Sequence, residues 1–405
     1  MLEKPCCRPV DNTSGPGTVP LGGRTAVMAT MLLFAYNGLT MGAFAGSLAS
    51  LKELFTLSAL QVSGLLVASG VMATLAMQVC GRLADRMGAR LFALVGIWPL
   101  VIGTLTLALA PSYPVLLLGA ALLGLGNGAL DVSMNAIAVQ VERARPRPIM
   151  SFFHGLWSAG NLSGSGALAL FAALTTLAAG RVLQSVLFGI AALGVAAFLV
   201  ARRITPQTET VAQVSDDGTK LKLPPAIYLL GLMALAFGLG EGSAFDWSGI
   251  HVTQVAAVEP TQGALAVTAL AFAITVIRLT GDLIVAKFGR RLVVRTGAAL
   301  AIIGYLIAGF GSGFWLLVSA WALVGLGMGV VAPQVYAIAG HTGGGRGLAV
   351  VVTFGYAVFL IGPAVLGALV TWLGVQHAML VPGACMVGLL FLARILPEKG
   401  ADPTL

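Results

Sequence analysis

Twelve apolar runs, each bounded by turn residues, follow one another along this chain. A helix that crosses a bilayer needs about 20 mainly apolar residues. Inside lipid its backbone groups must bond within the segment, so such runs can only be helices. The runs are 24–51, 60–80, 91–110, 114–140, 149–178 and 182–201, then 225–250, 263–284, 292–310, 314–340, 347–373 and 376–396. Of the 405 residues, 58% are hydrophobic and 9% charged, whereas soluble domains carry about 25% charged residues. The expected fold class is all-α integral membrane, twelve helices in two six-helix bundles.

The longest polar stretch, 202–224, divides the runs six and six. The expected units are therefore a tail 1–23, a bundle 24–201, the linker 202–224, a bundle 225–396 and a tail 397–405. Lys and Arg fall in alternate loops: Arg82, Arg86 and Arg90, Arg143, Arg145 and Arg147, Arg202 and Arg203, Lys287 to Arg295, and Arg394. The other loops hold only Lys52 and Arg181. Basic loops stay in the cytoplasm, so both termini are expected there, in a bacterial inner membrane. The net charge of +8 has the same origin and does not point to nucleic acid. Four cysteines (Cys6, Cys7, Cys80 and Cys385) offer no disulfide framework. The first 23 residues lack the apolar core of a signal peptide, and the sequon at Asn12 is read as chance.

The runs contain misplaced polar groups. A charge in a span costs about 2.5–3.5 kcal/mol on insertion scales and is a functional candidate by default. On helix 4, Asp131 and Asn135 share a stripe with Glu142, eleven residues on. Asp131 can exchange a proton or hold a solute; the structural alternative is a hydrogen bond to Asn161 or to another helix. Glu142 is equally readable as an ion-pair partner for Arg143 to Arg147. On helix 5, His154, Trp157 and Asn161 lie on one face: a relay or packing group, a stacking platform or anchor, and a pathway group. Helix 7 carries Glu241 among Gly238, Gly240 and Gly242, where a kink is expected, with Asp246 and Trp247 nearer the interface as belt residues. Tyr36 and Asn37 are candidate wall residues, as are Gln334 and Tyr336 after Pro333. Arg278 and Asp282, four apart, read as an intrahelical pair.

The halves repeat at an offset near 201: Gly124-Leu125-Gly126 recurs as Gly325-Leu326-Gly327, and Gly166-Ala167-Leu168 as Gly367-Ala368-Leu369. Six helices per repeat preserve topology, which places a site between the halves near the midplane. The second copy has Ala332 where the first has Asp131. There is no GxxxxGK[ST] loop for ATP and no HExxH or paired CxxC for a metal, so no cofactor, metal or enzymatic activity is expected.

The loop Gly81-Arg82-Leu83-Ala84-Asp85-Arg86-Met87-Gly88-Ala89-Arg90 resembles the signature loop of the major facilitator superfamily, and a degenerate copy runs from Gly281 to Gly289. The resemblance spans nearly the whole chain. It implies that Gly81, Arg82, Asp85, Arg86, Gly88 and Arg90 latch the cytoplasmic side, with Asp85 near the start of the next helix. Asp131-Val132-Ser133-Met134-Asn135, Ser151 to Ser158 and Glu241 to Ser248 resemble a branch related to fucose permease, which includes a membrane protein of a rhizopine gene cluster. That resemblance implies a proton-coupled secondary transporter of a small polar solute, sugar- or inosamine-like, with no obligate protein partner. Two other readings stay open: a proton-antiport exporter of a metabolite or drug, and a transporter-like receptor without flux.

Overall fold

The computed structural model describes residues 19–145, 149–208 and 223–398, and these hold helices and turns with no strand. The sequon, Cys6, Cys7, Arg147, the middle of the linker, the last seven residues and the side chains of Asp85, Asp282 and Arg346 lie outside the described set. The first-half helices are α1 (Arg24–Leu54), α2 (Ala59–Met87), α3 (Ala89–Ala108), α4 (Tyr113–Arg143), α5 (Met150–Leu174) and α6 (Ala179–Ile204). The second half has α7 (Pro225–Val255), α8 (Pro260–Phe288), α9 (Arg290–Phe310), α10 (Phe314–Met328), α11 (Val331–Ala378) and α12 (Leu380–Leu392). Ten stretches among the described residues are long and apolar enough to cross a membrane, and Leu380–Ile395 is a shorter apolar helix. α5 is not among the ten; it carries His154, Asn161 and four serines from Ser151 to Ser165.

The repeat extends to local chemistry. α7, α8 and α9 each start 201 residues after α1, α2 and α3. Ser58 with Gln61 caps α2, and Glu259 with Gln262 caps α8 in the same reciprocal way. Thr56 and Ala257 both take positive φ in the preceding turns, and Gly88 (φ +86°) and Gly289 (φ +81°) separate α2 from α3 and α8 from α9. With ψ near 150°, that backbone region is essentially restricted to glycine.

Packing follows the repeat. α1 lies on α5, α2 and α3 on α4, and α6 on α3 and α1; α7 on α11, α8 and α9 on α10, and α12 on α9 and α7 correspond to these. The halves meet along two related seams, α5 with α8 and α2 with α11, and α1 also touches α7 and α8. One face gathers the basic residues. There Arg145 Nη1 donates to the Gly22 carbonyl (3.3 Å), Arg90 Nη2 to that of Arg202 (2.7 Å) and Arg291 Nε to that of Leu396 (2.7 Å). The ends of α4, α6 and the last turn after α12 therefore share this basic face with the starts of α1, α3 and α9. At the opposite face, Ala49 of α1 meets Gly249 of α7 and Ser63 of α2 meets Gly367 of α11. At the basic face, α4 and α5 have no extensive contact with α10 or α11 among the described residues.

The sequence places a turn near 341–346, and the chain does fold back there: a Cβ on Gly347 would lie 3.1 Å from the Ala339 carbonyl and one on Gly355 2.9 Å from the Tyr336 hydroxyl. The sequence does not anticipate a further break at Gly329–Val330, inside the tenth run. Pro333 causes this break. It has no N–H, so the carbonyl four residues earlier, that of Gly329, loses its helical partner. The apolar stretches Phe314–Ala339 and Val350–Ala378 still correspond to the tenth and eleventh runs. α7 differs as well: it stays helical through Gly238, Gly240 and Gly242 without a break.

Candidate functional site

Glycine positions the polar residues of the first half. Gly38 and Gly42 of α1 lie so close to α5 that a Cβ on either would collide with the carbonyl of Trp157 or Asn161. Gly160 and Gly164 of α5 meet the Ala35 and Leu39 carbonyls in the same way. Small residues allow such backbone approach between membrane helices. The contact brings Trp157 to Asn37, whose Oδ1 accepts the indole N–H at 2.8 Å. Asn37 Nδ2 and Asn161 Oδ1 are buried without a hydrogen-bond partner. Tyr36 points elsewhere, with its hydroxyl against Gly194 of α6.

On α4, Asn135 Nδ2 donates to the Asp131 carbonyl (2.9 Å) and to its Oδ1 (3.3 Å). Asp131 is thus bonded within its own helix, and no bond to Asn161 is present. Glu142 serves the structure, since its Oε2 accepts the backbone N–H of both Ile149 and Met150 at 2.7 Å. Those are orphan donors at the start of α5, where a carboxylate also suits the helix dipole.

The main charge pair of the second half bridges two helices. Arg278 of α8 donates from Nη2 to Glu241 of α7, at 2.9 Å to Oε1 and 3.2 Å to Oε2. Its Nε donates to the Gly329 carbonyl at 3.4 Å, the group Pro333 leaves free. Arg278 thus pairs across α7 and α8, where two charges in lipid compensate each other and a vacant carbonyl is satisfied; the side chain of Asp282, its expected intrahelical partner, lies outside the described set. Tyr336 of α11 lies within electrostatic range of both charges. His154 of α5, in the other half, lies within range of Arg278, and its ring meets Phe34 edge-on at 5.2 Å. Glu241, Arg278, Tyr336 and His154 therefore gather at the seam between halves. Sequence reasoning missed Arg278; a cation well inside an apolar run was the available signal.

Other candidates lie elsewhere. Gln334 is buried, and its Oε1 accepts from Arg290 at the start of α9, so its amide is engaged at the basic face. Trp247 is fully buried and no belt residue. Asp246 lines a pocket between α7 and α11. At Gly81 to Arg90, Asp85 belongs to the last turns of α2 and not to the start of α3, because Gly88 alone separates the two helices. Gly81 packs on Val132 of α4, and Arg82 and Arg86 are exposed. Thr208, beyond α6, accepts the Ala89 N–H at 2.7 Å. Arg90 ties this turn to the end of α6 and Arg291 ties its counterpart to the turn after α12. Among the described residues no cluster of His, Cys, Asp and Glu fit to hold a metal occurs.

Comparison with known proteins agrees with this geometry. The chain is 28% identical over 369 residues to the uncharacterised transporter y4wD of Sinorhizobium fredii, covering 90% of this chain and 96% of that one. It is 30% identical over 351 residues to an uncharacterised MFS-type transporter of Yersinia pestis, covering 85% and 89%. A solved structure of a variant of the nucleoside transporter NupG shares the fold at a TM-score of 0.73 and 13% identity, covering 90% of this chain and 98% of that one. Residues 30–255 match the Major Facilitator Superfamily, and with the repeated six-helix packing around two seams this places the chain in that family of membrane transporters.

Proposed function

We propose that this protein is a proton-coupled secondary transporter of a small polar organic solute, a hydroxylated or amino-hydroxylated ring, moved by rocking of its two halves. The bundles 24–201 and 225–396 are the moving units, and 202–224 is a cytoplasmic linker. The basic face is the cytoplasmic side of a bacterial inner membrane, following the bias of Lys and Arg. The observation that carries this reading is the Glu241–Arg278 pair at the seam, with His154 of the other half within electrostatic range of Arg278. An intramembrane ion pair is costly, and at the junction of two repeats it lies where transporters of this design bind solute. The contact of α1 with α7 and of α2 with α11 at the opposite face supports a state open toward the basic face.

In this mechanism Arg278 and Tyr336 offer donors to solute hydroxyls, and Glu241 accepts from a hydroxyl or an ammonium group. Asp131, Asn135, Asn37, Trp157 and Asn161 form the first-half wall. The repeat shares the scaffold but not the chemistry: Asp131, Asn37 and Asn161 correspond to Ala332, Gly238 and Gly362, while Glu241 and Arg278 correspond to Thr40 and Met77. Such asymmetry suits one solute held between unlike walls. Arg82, Asp85, Arg86 and Arg90 latch the basic face in the other state.

The test is flux in proteoliposomes of the full chain, with radiolabelled fucose, myo-inositol and scyllo-inosamine as probes. Accumulation of one of them that collapses with the proton gradient is expected. Proton-driven efflux of a drug, or saturable binding with no counterflow, overturns the reading in favour of an exporter or a receptor.

A further inference from the structure

The repeat also fails where α1 packs on α5, and the transport reading leaves Asp246, beside the corresponding α7–α11 contact, without a role. In the first half, Gly38, Gly42 and Gly46 of α1 bring α5 into backbone contact. Their counterparts 201 residues on are Leu239, Ser243 and Trp247, so the glycine contact is not repeated at these positions. The side chains that fill the first-half contact, Asn37, Trp157 and Asn161, are replaced by Gly238, Val358 and Gly362. These residues, with the missing side chains at Gly238 and Gly362, line a pocket between α7 and α11, and the ionisable group lining it is Asp246.

Asp246 makes no hydrogen bond or ion pair among the described residues, in contrast to the other acids in these spans. Glu241 has Arg278, and Asp131 has Asn135. Trp247, on the same pocket, keeps a buried indole N–H with no partner. Among the described residues, neighbouring elements bring no counter-charge to the pocket lining. α8 contributes Arg278, engaged with Glu241. α10 has no ionisable residue, and α12 supplies Cys385. The wall from α11 is Val358, Gly362, Pro363 and Leu366, and α1 places Lys52 and Glu53 at the opposite-face rim beside Ile250 and Gln254. His251 on α7 is enclosed between the Ala308 carbonyl (2.9 Å) and the Trp321 indole (3.3 Å).

We propose that the α7–α11 pocket is a proton-binding site in which Asp246 is the carrier. An uncompensated carboxylate in an apolar setting is costly, so the group needs a proton or a cation. The free space is about 20 Å³, room for about one water-sized occupant, which excludes an organic solute. A metal cation needs several oxygen ligands, and the lining side chains offer only Asp246 and Ser243. Only the use of the proton to drive flux rests on the transport reading.

Infrared difference spectroscopy of the full chain in lipid, between acid and alkaline pH, tests the site without any solute. A protonated-acid carbonyl band present at acid pH, lost at alkaline pH, absent in Asp246→Asn and shifted but kept in Asp246→Glu is expected. A band that survives in a folded Asp246→Asn, or that sodium removes at constant pH, overturns the proposal. If only Asp246→Glu folds, an unshifted band overturns it equally. Failure here leaves the flux experiment untouched, and failure of flux leaves the infrared assignment standing.

Discussion

At the scale of the residue, the question is which polar groups in the spans are compensated and by what. Glu241 and Arg278 compensate each other, with side chains 14% and 21% exposed. Removing one partner of a buried pair costs about 3–5 kcal/mol, whereas replacing both by apolar groups is often nearly neutral. Glu241→Gln and Arg278→Met are each expected to lower the melting temperature in detergent, by less than full burial would give because both groups retain some solvent. The double variant is expected to regain most of the loss, and a thermal-shift double-mutant cycle reads the coupling. Additive losses would mean that the two side chains act separately. Gly42 is the other extreme. Its Cβ position falls on the Asn161 backbone, so Gly42→Leu cannot be absorbed by a side-chain rotation. It should cost at least as much as ordinary overpacking, about 1–3 kcal/mol, read as reduced thermal stability and loss of monodisperse protein. Gly242→Ala, with open space around its Cβ position, is the matched control and should be near neutral.

At the scale of the element, helix ends separate what the sequence tells from what it withholds. The apolar runs locate the helices because lipid leaves the backbone no alternative. The 201-residue offset even carries the capping boxes and the glycine turns. Partners between elements are less legible. Arg278 reads only as a neighbour of Asp282 along the chain, because only three-dimensional packing shows that Glu241 of α7 reaches it and that Pro333 opens the Gly329 carbonyl to it. The break at Gly329–Val330 could have been found from Pro333 alone, had the missing N–H been followed back four residues. Glu142 is a similar case: its position near Arg143 to Arg147 suggests ion pairing, yet its carboxylate closes the connection by capping α5. Glu142→Ala is expected to cost about 1 kcal/mol, as lost caps do. Hydrogen exchange should quicken at Ile149 to Phe153 and remain unchanged at the start of α6. Glu142→Gln, which keeps an acceptor oxygen, should restore part of the protection.

At the scale of the whole molecule, the contact of α1 with α7 and α2 with α11 at one face, beside the lack of extensive contact of α4 and α5 with α10 and α11 at the other among the described residues, is a statement about motion. If the halves rock, the contact between α1 and α7 must open in every cycle. Ala49 and Gly249 measure it: a Cβ built on Gly249 lies 3.8 Å from that of Ala49, at the mean for disulfide-bonded cysteines, about 3.8 Å. Ala49→Cys with Gly249→Cys, in a background lacking Cys6, Cys7, Cys80 and Cys385, is therefore expected to oxidise readily without distorting either helix. The bond would hold the opposite face shut while leaving solute binding from the basic face intact. Flux should vanish on oxidation and return with reductant, whereas each single variant should transport at close to the parental rate. Solute-induced protection against thermal unfolding should persist in the oxidised protein, because the Glu241–Arg278 seam stays reachable from the basic side. Full flux in a quantitatively cross-linked sample would show that this face does not open during transport. Loss of binding together with flux would place the solute on the opposite-face side of the α1–α7 contact instead.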